Sequence, residues 1–246
     1  MMLFEHHAYA NRWRSVSPEA KGAFSLCGLG AVFLARTPGV AFGVTLILVL
    51  VTLLGPRIPL GSYLRVAAPA LGFLALSIPT LVFSLRLEGG PVFHVEPGGL
   101  LRAAQVLARS SGGLAALLLL SLSTPMSDLI ALLRRLRMPE VMLDIMTLGY
   151  RMLFVLSGAV QDTVTAQSAR LGYSSPRRAF RSLGSLAAGL MVQVWQRSHD
   201  LHQSALSRNN DGPLRFLEAE FPGAGRQLCI SALAGCGLMV LARVAA

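Results

Sequence analysis

The stretch AFSLCGLGAVFLARTPGVAFGVTLILVLVTLL, Ala23–Leu54, decides the architecture. Two apolar runs, Ala23 to Ala35 and Val40 to Leu54, flank Arg36-Thr37-Pro38-Gly39, a break that folds them into a helical hairpin. With flanking residues, each run reaches the length a helix needs to cross a hydrocarbon core about 30 Å thick. The composition agrees: of 246 residues, 53% are hydrophobic and 14% charged, against about 25% charged in a soluble domain. The mean hydropathy is +0.58. The expected fold is an all-α polytopic membrane protein with about five transmembrane helices and a cytoplasmic helical region.

Outward from the hairpin, Gly55-Pro56-Arg57-Ile58-Pro59 closes it, and Leu64 to Leu85 forms a third span. Pro69 and Pro79 remove backbone donors within that span, which marks either a kinked, packed helix or a hinge. Arg86 to Gly98 reads as a polar loop with Glu88, His94 and Glu96, and Leu100 to Ser123 as a fourth span. Arg102 and Arg109 near its start can snorkel to the interface. Leu228 to Ala242 becomes a fifth span once Arg226, Gln227 and Arg243 serve as its ends. The expected organisation is a membrane domain over 1–123, a cytoplasmic helical region over 124–225 and a C-terminal span over 226–246.

Charge orients these spans. The formal net charge is +10, and Lys21 is the only lysine. Arg12, Arg14 and Lys21 precede span one, Arg57 and Arg65 lie between spans two and three, and twelve arginines fall within 125–226. All lie on one side of a four-plus-one topology, so the N-terminus and the 125–226 region are expected to be cytoplasmic and the 86–98 loop and C-terminus outside. Such a basic excess on a membrane protein points to the positive-inside rule and the anionic lipid bilayer, with no nucleic acid. Cys27, Cys229 and Cys236 have no zinc or disulfide spacing and read as buried small hydrophobes. No cleavable signal peptide is expected, because the apolar run starts only after Lys21; the first span doubles as the targeting signal.

Thr124 and Pro125 open a short amphipathic helix in which Met126, Leu129, Ile130, Leu133 and Leu136 recur at helical spacing and Arg134, Arg135 and Arg137 fill the last turn. It ends at Pro139 and suits the membrane surface. A long helix follows from Glu140 to Arg170, apolar at first and polar from Gln161 onward, with Asp144 and Arg151 on one face. Another runs from about Phe180 to Arg208. Each stops at an arginine: Ala169-Arg170-Leu171 before Gly172, and Ser207-Arg208-Asn209 before Asn210-Asp211-Gly212. Gly172 and the asparagines are expected to take the left-handed cap conformation. The two arginines, 38 residues apart (208 − 170), fit two rods joined by a turn and projecting from neighbouring tips. Two readings stand: each is a helix-dipole partner, or each docks into an acidic groove through bidentate hydrogen bonds that lysine reproduces poorly.

In these residues the chain resembles the transmembrane T component of energy-coupling factor (ECF) transporters, specifically the CbiQ family of cobalt and nickel importers. The resemblance runs from Asn11-Arg12-Trp13-Arg14-Ser15-Val16-Ser17-Pro18-Glu19-Ala20-Lys21, similar to the family's h-x-x-D-P-R-x-K ahead of span one, with Ser17 in place of the aspartate. It is densest from Thr124-Pro125 through Arg134-Arg135-Leu136-Arg137-Met138-Pro139 and Tyr150-Arg151 to Ala166-Gln167-Ser168-Ala169-Arg170-Leu171-Gly172-Tyr173. The family carries two Ala-Arg-X signatures on helices that engage a pair of ABC-type ATPases. Ala169-Arg170-Leu171 matches the first, while Ser207-Arg208-Asn209 keeps only the arginine of the second, whose usual pattern is Ala-Arg-Gly. The resemblance implies a non-catalytic subunit of an ATP-driven cobalt importer in the prokaryotic inner membrane. It further implies an ABC-type ATPase dimer, a CbiM-like substrate-binding S component and a small auxiliary membrane subunit as partners. ATP hydrolysis would lie in the ATPases, and no G-x-x-x-x-G-K-[ST] sequence occurs here.

Other chemistry finds less support. His6-His7, Glu88, His94, Glu96 and the pair His199 and His202 are the tempting metal ligands, and none is assigned as one; no cofactor is expected. A T component for nickel or a vitamin is an alternative. A membrane enzyme acting on phosphate-bearing lipids is the alternative from another class, but its carboxylates would be Asp128, Asp144, Asp162, Asp200 and Asp211, which form no motif. Gly28-Leu29-Gly30 and Ser110-Ser111-Gly112-Gly113 permit close helix approach, either to another subunit or within the chain.

Overall fold

The computed structural model describes residues 11–86, 92–95, 98–209, 221 and 223–245. In chain order the elements are α1 (Pro18–Leu34), α2 (Pro38–Leu54), α3 (Leu60–Val82), β1 (Phe83–Arg86), β2 (Val92–Val95), α4 (Gly99–Ser123), α5 (Met126–Arg135), α6 (Glu140–Ala169), α7 (Pro176–Ser207) and α8 (Ala224–Val244), with a short 3-10 turn at Arg12–Ser15. They form two compact units, Met1–Leu132 with Glu218–Ala246, and Leu133–Leu217. Among the described residues the fold is helical apart from one antiparallel hairpin.

The helices lie where the apolar runs put them, with shifted ends, and α1, of 17 residues, is not among those with a span's length and hydropathy. α1 begins at Pro18, ahead of its apolar run, because Ser17 supplies the N-cap position and Pro18 the first helical residue. α3 runs through Pro69 and Pro79 without interruption. It stops at Val82, short of Leu85, where the chain turns into a strand paired Phe83↔Val95, Ser84↔His94, Leu85↔Phe93 and Arg86↔Val92. Val92-Phe93-His94-Val95 is a β-favouring run, so part of the expected polar loop, Arg86 and Val92–Val95, is sheet. Glu88 and Glu96 lie outside the described residues. Among the described residues, α3, α4, α6 and α8 are long and apolar enough to cross a bilayer, and α2 is a shorter apolar helix. α6 thus has a span's length and hydropathy although it belongs to the region read as extramembrane.

In the first unit α4 is central, packing on α1, α2 and α3, while α8 lies along α1. Gly28 and Gly112, noted in sequence, serve this packing, and so does Gly235. A Cβ at Gly112 would come within 2.6 Å of Val32 Cγ2 and 2.8 Å of Thr45 Oγ1, so α1 and α2 close onto α4 there. A Cβ at Gly28 would meet Leu48 Cδ2 at 2.7 Å, and one at Gly235 would meet Cys27 Cβ at 2.5 Å. α1 and α8 run parallel, since Ser17 N–H donates to Gln227 Oε1 (2.7 Å) at one level and Gly30 faces Met239 further along. Cys229 and Cys236 are exposed on α8, not buried; the apolar run around them faces outward because its helix lies at the edge of the bundle.

Two cations tie α1 to α4, which run antiparallel. Lys21 Nζ donates to the Ser123 carbonyl at the end of α4 (3.0 Å), and Asn11 Nδ2 donates to the same oxygen (3.0 Å). At the opposite end, Arg109 Nη2 of α4 donates to the Ala35 carbonyl that follows α1 (3.2 Å), beside Gln105 Nε2 on the Arg36 carbonyl (3.2 Å). Each helix therefore places a cation at the other's C-terminus, where unpaired carbonyls concentrate negative potential. Arg109 is a cap, where the sequence suggested snorkelling. Arg14 makes an ion pair with buried Asp128, holding the first turn of α5 to the N-terminal segment.

Lys21→Met removes a charge-assisted hydrogen bond from a residue only 2% exposed and is expected to destabilise the bundle by about 2 kcal/mol. Thermal unfolding in detergent measures this against Arg65→Met, an exposed site where a change within about 0.5 kcal/mol is expected.

Candidate functional site

The second unit is a helical hairpin of α6 and α7, and its helix ends carry the six residues singled out in sequence. At the end of α6, Arg170 adopts φ −93°, ψ 16°, and Leu171 follows at φ +56°. Arg170 N–H donates to Gln167 O (3.2 Å), Leu171 N–H to Ser168 O (3.0 Å) and Gly172 N–H to Gln167 O (2.8 Å), the six-residue closure of a Schellman turn. The left-handed position is thus Leu171, and not Gly172 as the sequence suggested. Gly172 is required for space: a Cβ there would stand 2.7 Å from Ser182 Oγ and 2.8 Å from Gln167 O.

Gln167 explains why a leucine accepts this backbone. Its Oε1 receives the Tyr173 hydroxyl (2.7 Å), and its Nε2 donates to Ser182 O (3.1 Å) and Ser185 Oγ (3.0 Å). Ser182 Oγ donates in turn to Gly172 O (3.0 Å). This network clamps the last turn of α6 to the early turns of α7 and over-determines the turn between them. α7 begins at Pro176, earlier than expected, because Ser175 Oγ accepts the Arg178 N–H and proline takes the first helical position.

The end of α7 repeats the geometry. Arg208 adopts φ −98°, ψ 8° and Asn209 φ +50°; Arg208 N–H donates to Ala205 O (3.1 Å) and Asn209 N–H to Leu206 O (3.0 Å). Asn209 takes the left-handed position that asparagine tolerates; Asn210, Asp211 and Gly212 lie outside the described residues. Ala169 and Ser207 are the small last residues of their helices. Arg170 and Arg208 are both exposed, and among the described residues neither guanidinium makes a hydrogen bond or ion pair. They do not fold back onto their own helix carbonyls.

The arginines do not share neighbouring tips. α7 has 32 residues, a length of about 48 Å at 1.5 Å per residue; Arg170 precedes it and Arg208 follows it. The two helices are antiparallel, and a cavity of about 1130 Å³ opens between the first half of α6 and the second half of α7. Asp144, Arg151, Arg197, His202 and Arg208 border it.

The other candidates stay apart. His199 Nε2 lies 3.2 Å from Gln203 Nε2, while His202 borders the cavity. His6 and His7 lie outside the described residues, and of His94 only the backbone is described. Among the described residues no three His, Cys, Asp or Glu side chains converge. Sequence reading missed the role of Gln167, Tyr173, Ser182 and Ser185. The signal was the short interval between Arg170 and the Ser175-Pro176 helix start, which forces the end of one helix against the start of the next.

Gly172→Ala is expected to destabilise this unit by about 1–3 kcal/mol through overpacking. Leu171→Gly is expected to stabilise it by about 1 kcal/mol, since Leu171 is 65% exposed and its left-handed strain is relieved. Opposite shifts in thermal unfolding and in protease resistance of the hairpin check the pair.

Comparison with known proteins places these features in a family. Residues 10–216 match the family described as CbiQ, cobalt transport protein. The chain is 35% identical over 214 residues to the cobalt transport protein CbiQ of Rhodobacter capsulatus, covering 85% of each chain. It is 30% identical over 201 residues to CbiQ of Salmonella typhimurium, covering 77% of this chain and 88% of the relative. A putative fused cobalt transport protein CbiMQ of Methanocorpusculum labreanum is 33% identical over 141 residues, 57% of this chain and 23% of that longer protein. With its apolar spanning helices, the chain belongs to the CbiQ family of cobalt transport proteins and is a multi-pass membrane component of cobalt transport.

Proposed function

We propose that this chain is the coupling (T) subunit of an ECF-type ABC importer for cobalt and that Arg170 and Arg208 are its two contacts with an ABC-type ATPase dimer. The repeated helix end carries the reading. Two exposed arginines with the same backbone, one in front of a left-handed leucine and one in front of a left-handed asparagine, present guanidinium groups without partners of their own. A site about 48 Å from its counterpart cannot share one groove with it, but it fits one groove on each of two ATPase subunits.

In this role the residues divide the work. Ala169 and Ser207 keep the approach to each arginine narrow, and the left-handed Leu171 and Asn209 turn the chain away so that the guanidinium stands at the tip. A guanidinium offers a planar fork to carboxylates in an acidic groove, which lysine does not. Hydrolysis and its metal chemistry belong to the ATPase subunits; this chain converts their closing and opening into movement of α6 and α7. The spans reorient a separate CbiM-like substrate-binding subunit, a partner suggested by the fused CbiMQ relative, with a small auxiliary membrane subunit completing the set. The N-terminus and the α6–α7 hairpin lie on the cytoplasmic side of the prokaryotic inner membrane, as the arginine excess within 125–226 favours.

The test is cobalt uptake and ATPase co-purification for Arg170→Glu, Arg208→Glu and the double variant. Breaking a docked, charge-paired contact costs about 2–5 kcal/mol, so each single variant is expected to weaken ATPase retention more than tenfold. The double variant is expected to abolish retention and uptake while unfolding at the wild-type temperature. Normal cobalt import by the double variant overturns the assignment.

A further inference from the structure

A second cavity, of about 460 Å³, lies in the first unit where α1 and α8 begin and α2 ends. Its wall is apolar over most of its extent, with Trp13, Phe24, Val51, Ile230 and Ala234 among the lining residues. The Trp13 indole is fixed against the backbone of Gly55, where a Cβ would stand 2.3 Å from Trp13 Cζ2. The polar groups at its upper end are already engaged: Gln227 Oε1 accepts Ser17 N–H and Lys21 Nζ donates to Ser123 O. Ile230 and Ala234 are exposed, so the cavity opens sideways onto the flank of α8, a helix with the length and hydropathy of a membrane span. From Gln227 to Ala234 it follows α8 for about 10 Å at 1.5 Å per residue.

Three arginines neighbour in sequence the residues that line or brace the cavity. Arg12 precedes Trp13, Arg226 precedes Gln227, and Arg57 follows the Gly55 on which the indole rests; all three are exposed. Lys21 adds a buried ammonium in the wall itself. An elongated apolar slot opening towards lipid, with cations at its interfacial end and an indole beside them, combines the features that hold an amphipathic anion at a membrane surface.

We propose that this cavity binds one acyl chain of an anionic phospholipid, with the headgroup phosphate held at the mouth by Arg12, Arg57 and Arg226. The bound lipid fills the gap between the N-terminal segment, α1 and α8 and joins the otherwise small contact that Trp13 makes with the end of α2. The inference rests on the membrane-spanning character of α8 and is independent of the contacts proposed for Arg170 and Arg208.

The chain has two tryptophans, Trp13 and Trp195, and Trp195 is 79% exposed. In a Trp195→Phe background the full chain, reconstituted in phosphatidylcholine nanodiscs, reports on the cavity through Trp13 fluorescence. A small mole fraction of phosphatidylglycerol with brominated acyl chains is expected to quench Trp13 several-fold more than the same fraction of brominated phosphatidylcholine. Ala234→Phe, which fills the slot from its exposed rim, is expected to remove that excess quenching. Arg12→Gln with Arg226→Gln, which leaves the slot intact, is expected to remove the preference for the anionic lipid. Equal quenching by the two lipids, excess quenching that survives Ala234→Phe, or no quenching by either lipid overturns the proposal.

Discussion

The structure depends on a reciprocal exchange of cations between two antiparallel helices. α1 sends Lys21 to the last carbonyl of α4, and α4 sends Arg109 to the carbonyl that follows α1. Ser123 and Ala35 are buried in the bundle away from water, so leaving their carbonyls bare is costly. A lysine or arginine placed there satisfies the carbonyl and meets the negative end of the helix dipole with one side chain. Everything at the Ser123 end is then organised around that contact. Asn11 joins Lys21 on the same oxygen, Arg14 reaches from the 3-10 turn to Asp128 at the start of α5, and Ser17 fixes Gln227 at the start of α8. The chain leaves the bundle at α5 and returns at α8 through a junction that the N-terminal segment holds together.

Close packing supplies what these polar ties leave out. Between helices in a bilayer there is little hydrophobic driving force, so association relies on van der Waals contact and on small residues that admit a neighbour's side chain. Gly112 accepts Val32 and Thr45, Gly28 accepts Leu48, and Gly235 accepts Cys27. The three contacts involve α1, α2, α4 and α8, the helices that the N-terminal segment also touches or caps. Gly28 and Gly112, which sequence reading left open between packing within the chain and contact with another subunit, pack inside it.

How far the sequence could be read follows from the range of the physics involved. Uninterrupted apolar runs and a proline-glycine break are local signals, and Ala23–Leu54 folded as a hairpin because nothing distant competes with burial in lipid. The helix end at Arg208, with left-handed Asn209, was legible for the same reason. Lys21 and Arg109 were not, because a charge near a span's end looks the same whether it snorkels to a headgroup or caps a distant helix end, 102 residues away for Lys21 on Ser123 and 74 for Arg109 on Ala35. Phe83–Leu85 extended the apolar run of α3 and passed for helix, since three more residues carry no period of their own and the strand needs its partner Val92–Val95 to declare itself. At Gly172 the expected reason was backbone conformation and the actual one is the proximity of Ser182, a contact that only the folded hairpin creates.

The two arginine-bearing ends are alike in backbone but differ in support, and that difference bears on how the proposed coupling works. At Arg170 the last turn of α6 is bonded across to α7 through Gln167, Tyr173, Ser182 and Ser185. At Arg208 the side-chain bonds described stay within α7, from Gln203 to His199 and from Ser204 and Ser207 to their own preceding carbonyls. A displacement applied at Arg170 therefore enters both helices together at a stiff corner. One applied at Arg208 travels along α7, about 48 Å, before it reaches the same corner, and it works against the open cavity between the helices on the way. In the proposed coupling, a hairpin built like this treats the two ATPase subunits unequally: one moves the corner and the other levers about it. The asymmetry arises at Gln167 of α6, whose side-chain amide bonds to α7 and to Tyr173 in the turn between the helices, and that makes it the residue on which the mechanical unity of the hairpin turns.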